Sequence, residues 1–141
     1  MKIIEYDAEK HYGKIIEIFN KETEGRILPS TTSFFLKNPL PKNTKILLAV
    51  QDNDENEIMG LTGWNIAQNK SVTIVKRNYR NKNIGRELVK HKLDNLQSFT
   101  TTIGAINIPS IKMIAKLGGI IINGGYHKHN NNPYLVFLLK K

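Results

Sequence analysis

The chain has 141 residues, enough for one domain with its own core, and its lack of cysteine excludes disulfides and thiolate chemistry. No run approaches the roughly 18 apolar residues needed to span a bilayer, and the charged opening MKIIEYDAEKHYGK lacks a secretory apolar stretch, so a cytoplasmic protein with no membrane partner is expected. A formal charge of +9, from 21 Lys and Arg against 12 Asp and Glu, favours anionic partners: nucleic acid, acidic lipid or a phosphorylated small molecule.

KIIEY (2–6) reads as a short strand. Residues 8–22 carry Tyr12, Ile15, Ile16 and Phe19 at helical spacing, with Asp7 placed to cap the helix. Pro29 and the hydroxyl cluster 30–32 interrupt the pattern, so a second short helix is expected over 32–37, ending before Pro39. KILLAVQ (45–51), IMGLTGWNIA (58–67) and SVTIV (71–75) are β-rich runs separated by polar turns, DNDENE (52–57) being the first, and they predict an antiparallel meander. The period then changes. Ile84, Leu88, Val89, Leu93 and Leu96 form one stripe of a helix of three to four turns, with basic residues on its other face. FTTTIGAI (99–106) reads as a strand, and PSIKMIAKL (109–117) as a helix left through Gly118 and Gly119. IIIN (120–123) and YLVFLLK (134–140) close as strands around GGYHKHNNNP. The expectation is one mixed α/β domain over 1–141, a mostly antiparallel central sheet flanked by helices, in the order β-α-α-β-β-β-α-β-α-β-β.

Positive charge is concentrated in one segment. Lys76, Arg77, Arg80, Lys82, Arg86, Lys90 and Lys92 crowd together there, opposed only by Glu87. A solvated basic face is the plain reading of such a run. Position supports another. YRNKNIGREL (79–88) lies between a strand ending at Val75 and a helix starting near Ile84. The first N–H groups of a helix lack internal partners and sit at the positive end of its dipole, so several together can hold a phosphate. Gly85 lets that backbone approach closely, and Asn83 tolerates a left-handed conformation.

VKRNYRNKNIGRELV (75–89) resembles the acetyl-CoA motif of the GNAT superfamily of N-acetyltransferases. Val75, the Tyr79–Arg80 step and the Ile84–Gly85 pair match it, while Arg77 stands where Pro is frequent and Asn83 where the first Gly is frequent. INIPSIKMIAKLGG (106–119) is similar to the second cofactor segment of that family, with Asn107, Ser110, Lys116, Leu117 and Gly118 in register. The element order agrees over nearly the whole chain.

The resemblance implies a GNAT-like fold that transfers an acetyl group from acetyl-CoA to a primary amine, directly and within a ternary complex. Backbone groups of Val75 and Arg77 would pair with the pantetheine arm. Amides of Asn81, Lys82, Asn83, Ile84, Gly85 and Arg86 would cradle the pyrophosphate, with Arg80, Lys82 and Arg86 adding charge at the rim. Asn107 would reach the arm near the thioester, a helix N-cap being its other reading, and Ser110 belongs to the same segment.

Amine acetylation requires a proton acceptor, a polarised carbonyl and a stabilised leaving thiolate. Many relatives protonate the thiolate with a Tyr; alignment from Asn107 and Lys116 puts Ile114 there, leaving Tyr126 and Tyr134 as substitutes. The strand SVTIV lacks the Glu often found in relatives. Glu22 and Glu24 after the first helix, and His127 with His129 in the penultimate loop, are the candidate bases. The H-x-H pair finds no third ligand, so no metal is expected. The alternative is a non-catalytic acyl-CoA-binding domain, or a nucleic-acid-binding domain of the same fold; nucleic acid is disfavoured because no aromatic platform accompanies the basic cluster. The amine acceptor is not identified by the sequence, and a homodimer is a candidate assembly.

Overall fold

The computed structural model describes residues 1–23, 27–128 and 130–141. They fall into two compact units, Met1–Val89 and Lys90–Lys141, with one helix running through the boundary.

The first unit contains β1 (Lys2–Glu5), α1 (Ala8–Lys21), α2 (Pro29–Phe35), β2 (Lys45–Gln51), β3 (Asp54–Asn65), β4 (Lys70–Val75), a 3-10 turn over Arg77–Tyr79 and the start of α3 (Ile84–Leu96). Its four strands form an antiparallel sheet in the order β1-β2-β3-β4, leaving β4 at an edge. Residues 46–50 of β2 are all buried, as expected of a strand covered on both faces. Ile46, Leu48 and Val50 pack with Ile15, Ile18, Phe19, Phe34 and Phe35 of α1 and α2. Ala49 and Met59 pack instead with Ile84 and Leu88 of α3. The start of α3 is therefore seated by apolar burial.

The helix α1 begins where Asp7 accepts the Glu9 N–H at 3.1 Å. The Asp7 N–H in turn donates to His11 Nδ1 at 2.9 Å, and His11 is buried. Burial holds the His11 pKa below its usual value, against a smaller opposing effect of Asp7. Below about 6.5 the unfolded chain binds a proton that the folded imidazole resists, so this contribution to stability is present above that pH and lost below it. Urea unfolding of His11→Gln should accordingly show a shallower loss of stability from pH 6.5 to 5 than the native chain; identical slopes would refute it.

The second unit holds the remainder of α3 with β5 (Ser98–Gly104), α4 (Ile108–Lys116), β6 (Ile120–Tyr126) and β7 (Pro133–Lys140). Its antiparallel sheet runs β5-β7-β6. Phe99, Ile103, Ile114, Phe137 and Leu139 are buried in it.

The element order is the expected one, with local differences. Pro29 opens α2 rather than breaking the chain, because a proline at the first helical position gives up an N–H that has no partner there anyway. The polar run 52–57 is mostly strand: Gln51 pairs with Asp54, so the turn shrinks to Asp52 and Asn53. Gly124, Gly125 and Tyr126 extend β6 against Leu135, Tyr134 and Pro133, and the Tyr134 ring covers the open space at Gly125. Lys92, grouped with the basic residues by sequence, is only 2% exposed, its Nζ 4.5 Å from the centre of the Phe99 ring.

Candidate functional site

The end of β4 is continued by one more rung, where Lys76 N–H donates to Met59 O at 2.9 Å. The chain then turns through Arg77–Tyr79. Tyr79 fastens this turn to the sheet: its hydroxyl donates to Glu57 Oε1 at 3.0 Å and accepts from Gln51 Nε2 at 3.2 Å. Lys76 Nζ reaches the same Glu57 oxygen at 3.6 Å. Arg80 spans two carbonyls, donating from Nε to Val75 O at 3.1 Å and from Nη2 to Glu22 O at 2.9 Å. Its guanidinium thus braces the loop.

Beyond Arg80 the loop curls through two left-handed residues, Asn81 (φ 65) and Asn83 (φ 64). Asparagine is among the few non-glycine residues that adopt this conformation readily. Among the described residues, no amide from 81 to 86 has a backbone acceptor; the first taken internally is Glu87 N–H, which donates to Asn83 O at 3.1 Å. Asn81, Lys82, Asn83 and Arg86 are exposed, while Ile84 is buried and anchors the row. Six consecutive donors with no backbone acceptor among the described residues, with the exposed cations Lys82 and Arg86 among them, lie at a helix N-terminus and suit an anion of the size of a diphosphate.

In the second unit Asn107 occupies the N-cap position of α4, with Ile111 N–H donating to its carbonyl at 3.1 Å, but its side chain makes no cap hydrogen bond. The capping alternative for that side chain is not realised. Ser110 lies in the first turn of α4, half-buried.

No protein-family model matches the chain, and no curated protein sequence matches it. Solved structures match it in shape. Ribosomal-protein-alanine N-acetyltransferase from Brucella melitensis superposes with a TM-score of 0.75 at 14% identity, covering 100% of both chains. A variant of spermidine N-acetyltransferase SpeG from Vibrio cholerae gives 0.77 at 10%, covering 99% of this chain and 95% of its own. Arabidopsis thaliana NAA60 in complex with acetyl-CoA gives 0.75 at 11%, covering 99% and 97%. The fold is the GNAT fold.

Within this GNAT fold the structure brings Arg77 and Arg80 against Glu22, and joins Arg80 to Val75. Glu22 is the C-cap of α1, and its Oε2 accepts the Arg77 N–H at 2.7 Å. Of the backbone groups of Val75 and Arg77, the residues assigned by resemblance to the pantetheine arm, Val75 O accepts from Arg80 and Arg77 N–H donates to Glu22. Glu22 also lines a cleft of about 380 Å³ with Glu17, Glu57, Lys14, Lys76 and Asn78. A larger cavity, about 440 Å³, opens at the other end of α1 beside Glu5, Asp7, His11 and Glu55, and includes none of the residues assigned to the cofactor or to catalysis.

Glu24 and His129 lie outside the described residues. His127 sits at the β6–β7 turn, its N–H donating to Asn132 O at 2.9 Å and its ring centre 4.8 Å from that of Tyr134. Ile114 is 3% exposed and packed near Gly119. Trp64 is core. Asn65, beside it on β3, is fully buried: its Nδ2 donates to Lys42 O and Thr44 Oγ1, both at 3.0 Å, and its Oδ1 accepts Gln68 N–H at 3.0 Å. It staples two loops. Sequence reasoning missed the Glu57–Tyr79 contact, because strand alternation does not say which polar side chain meets a residue 22 positions away.

Proposed function

We propose that this chain is an acetyl-CoA-dependent N-acetyltransferase that acetylates a primary amine by direct transfer in a ternary complex. The observation that carries this reading is the row of amides from 81 to 86, without a backbone acceptor among the described residues, entering α3 in a GNAT fold. Asn81, Lys82, Asn83, Ile84, Gly85 and Arg86 would hold the diphosphate of the coenzyme, with Arg80 keeping the loop in shape. The edge strand β4, ending at Val75, would pair through its outward main-chain groups with the pantetheine arm by strand addition. Asn107 and Ser110 would contribute from α4.

Acetyl-CoA supplies an activated acyl carbon as a thioester. The amine nitrogen bonds to that carbon as the carbon–sulfur bond breaks, the electron pair leaving on sulfur and the amine proton passing to Glu22. A thiol ionises near pH 8.5, so its thiolate leaves without obligatory protonation, and Ile114 at the usual acid position is compatible with turnover. The net charge of +9 disfavours lysine-rich acceptors and favours neutral or acidic ones. The absence of cysteine is consistent with a cytoplasmic enzyme.

Both steps can be tested on the purified chain. Millimolar CoA or acetyl-CoA should raise the melting temperature, since a ligand bound only by the folded state stabilises it. Thiol release from acetyl-CoA should then exceed hydrolysis with at least one of benzylamine, an alanine-initiated tetrapeptide or spermidine. The second reading, an acyl-CoA-binding domain without transfer activity, draws on the buried Ile114 and on a β4 sequence, KSVTIV, with no carboxylate. It prevails if the coenzyme binds and no amine accelerates thiol release. An RNA affinity that exceeds the CoA affinity and falls steeply with salt would instead favour nucleic acid.

A further inference from the structure

We infer that the main-chain amide of Arg77 is a positioning group that delivers Glu22 to the exit of β4 as the base the strand itself lacks; this rests on the acetyltransferase reading above. Glu22 is held at three atoms. Its N–H donates to Ile18 O at 2.9 Å as the helix cap, its carbonyl accepts from Arg80 Nη2 at 2.9 Å, and its Oε2 accepts from Arg77 N–H at 2.7 Å. The last is a charge-assisted bond to a rigid main-chain donor, which fixes a carboxylate more tightly than a flexible side chain can. Arg80 grips Val75 O with the same guanidinium that grips Glu22 O, so the C-terminus of α1 and the end of β4 are clamped together. The strand offers no carboxylate of its own. Lys76, the residue between Val75 and Arg77, directs its ammonium to Glu57 rather than Glu22. With Oε2 engaged by the amide, Oε1 is the oxygen that takes the amine proton.

The amide exists only because residue 77 is not proline. Lys76 has φ −57 and ψ 141, the extended conformation required before a proline, and Arg77 opens a 3-10 turn, where φ lies near about −60°. Arg77→Pro therefore deletes the donor at a position whose backbone accepts the ring, while Arg77→Ala removes the same side chain and keeps the donor. With acetyl-CoA and the best amine among benzylamine, the alanine-initiated tetrapeptide and spermidine, kcat of Arg77→Pro should fall about tenfold below that of Arg77→Ala, at equal KM for acetyl-CoA. Glu22→Gln should lose about 100-fold in kcat, the low end of what a general base contributes. In the Glu22→Gln background the proline and alanine variants should be indistinguishable, because the two groups act through one contact.

Equal kcat for Arg77→Pro and Arg77→Ala, or a gap that survives Glu22→Gln, overturns the positioning role and leaves the acetyltransferase reading standing. A native chain that binds acetyl-CoA and turns over no amine overturns both. Melting curves of the five variants separate these outcomes from simple unfolding.

Discussion

Gly85→Leu will lower the affinity for CoA by at least about 100-fold, roughly 2.7 kcal/mol, without destabilising the unliganded fold. Gly85 is the second residue of α3 and lies within the run of amides from 81 to 86 that have no backbone acceptor among the described residues. A leucine side chain there crowds the space from which a diphosphate must approach the N–H groups, and the phosphate loses several charge-assisted bonds together. The helix itself gains, because leucine is a better helix former than glycine by somewhat less than about 1 kcal/mol. Binding should collapse while the melting temperature holds or rises slightly. Titration calorimetry with CoA and a thermal melt on the same sample check both halves. A dissociation constant within threefold of the native value would move the diphosphate away from α3.

Lys92→Met will stabilise the chain at pH 6 by roughly 2–5 kcal/mol, and the gain will shrink as the pH rises towards 10. Lys92 is 2% exposed in the body of α3, with its ammonium against the Phe99 ring. Burial lowers its pKa from 10.5 to about 7. Between those two values the unfolded chain carries a proton that the folded chain does not, so stability rises with pH across the window. Below pH 7 both states are charged and the full desolvation cost is present; a depression of this size corresponds to roughly 5 kcal/mol. Methionine fills a similar volume without a charge to desolvate. Urea titrations of both proteins at pH 6 and pH 9 read the difference directly. An advantage equal at the two pH values, or a less stable variant, would refute the assignment.

These two residues also show what could be read without coordinates. The helix start at Gly85 was legible because its meaning is local: glycine just after a basic loop and just before a periodic apolar stripe marks the first turn of a helix, and α3 begins at Ile84. Asn83 was legible for the same reason, its left-handed conformation being a property of the residue type and the turn. Lys92 was misread because it stands among Lys90, His91 and Asp94 in sequence, and charge is an unreliable guide to burial when one helix face changes neighbours along its length. Arg80 was read as a rim cation, and the sequence did not show that its guanidinium spans two carbonyls, one of them 58 residues earlier.

The sequence by itself determined the element order, the Asp7 cap of α1 and the left-handed turn at Asn83, because each depends on residues within a turn or two of one another. Only the tertiary structure decided which carboxylate stands beside β4. Glu22 and Arg77 are 55 residues apart, and no propensity, period or charge run links them. Their contact follows from the packing of Ile15, Ile18 and Phe19 on the sheet, which sets where α1 ends, and a side chain at that end meets whatever the folded sheet presents there.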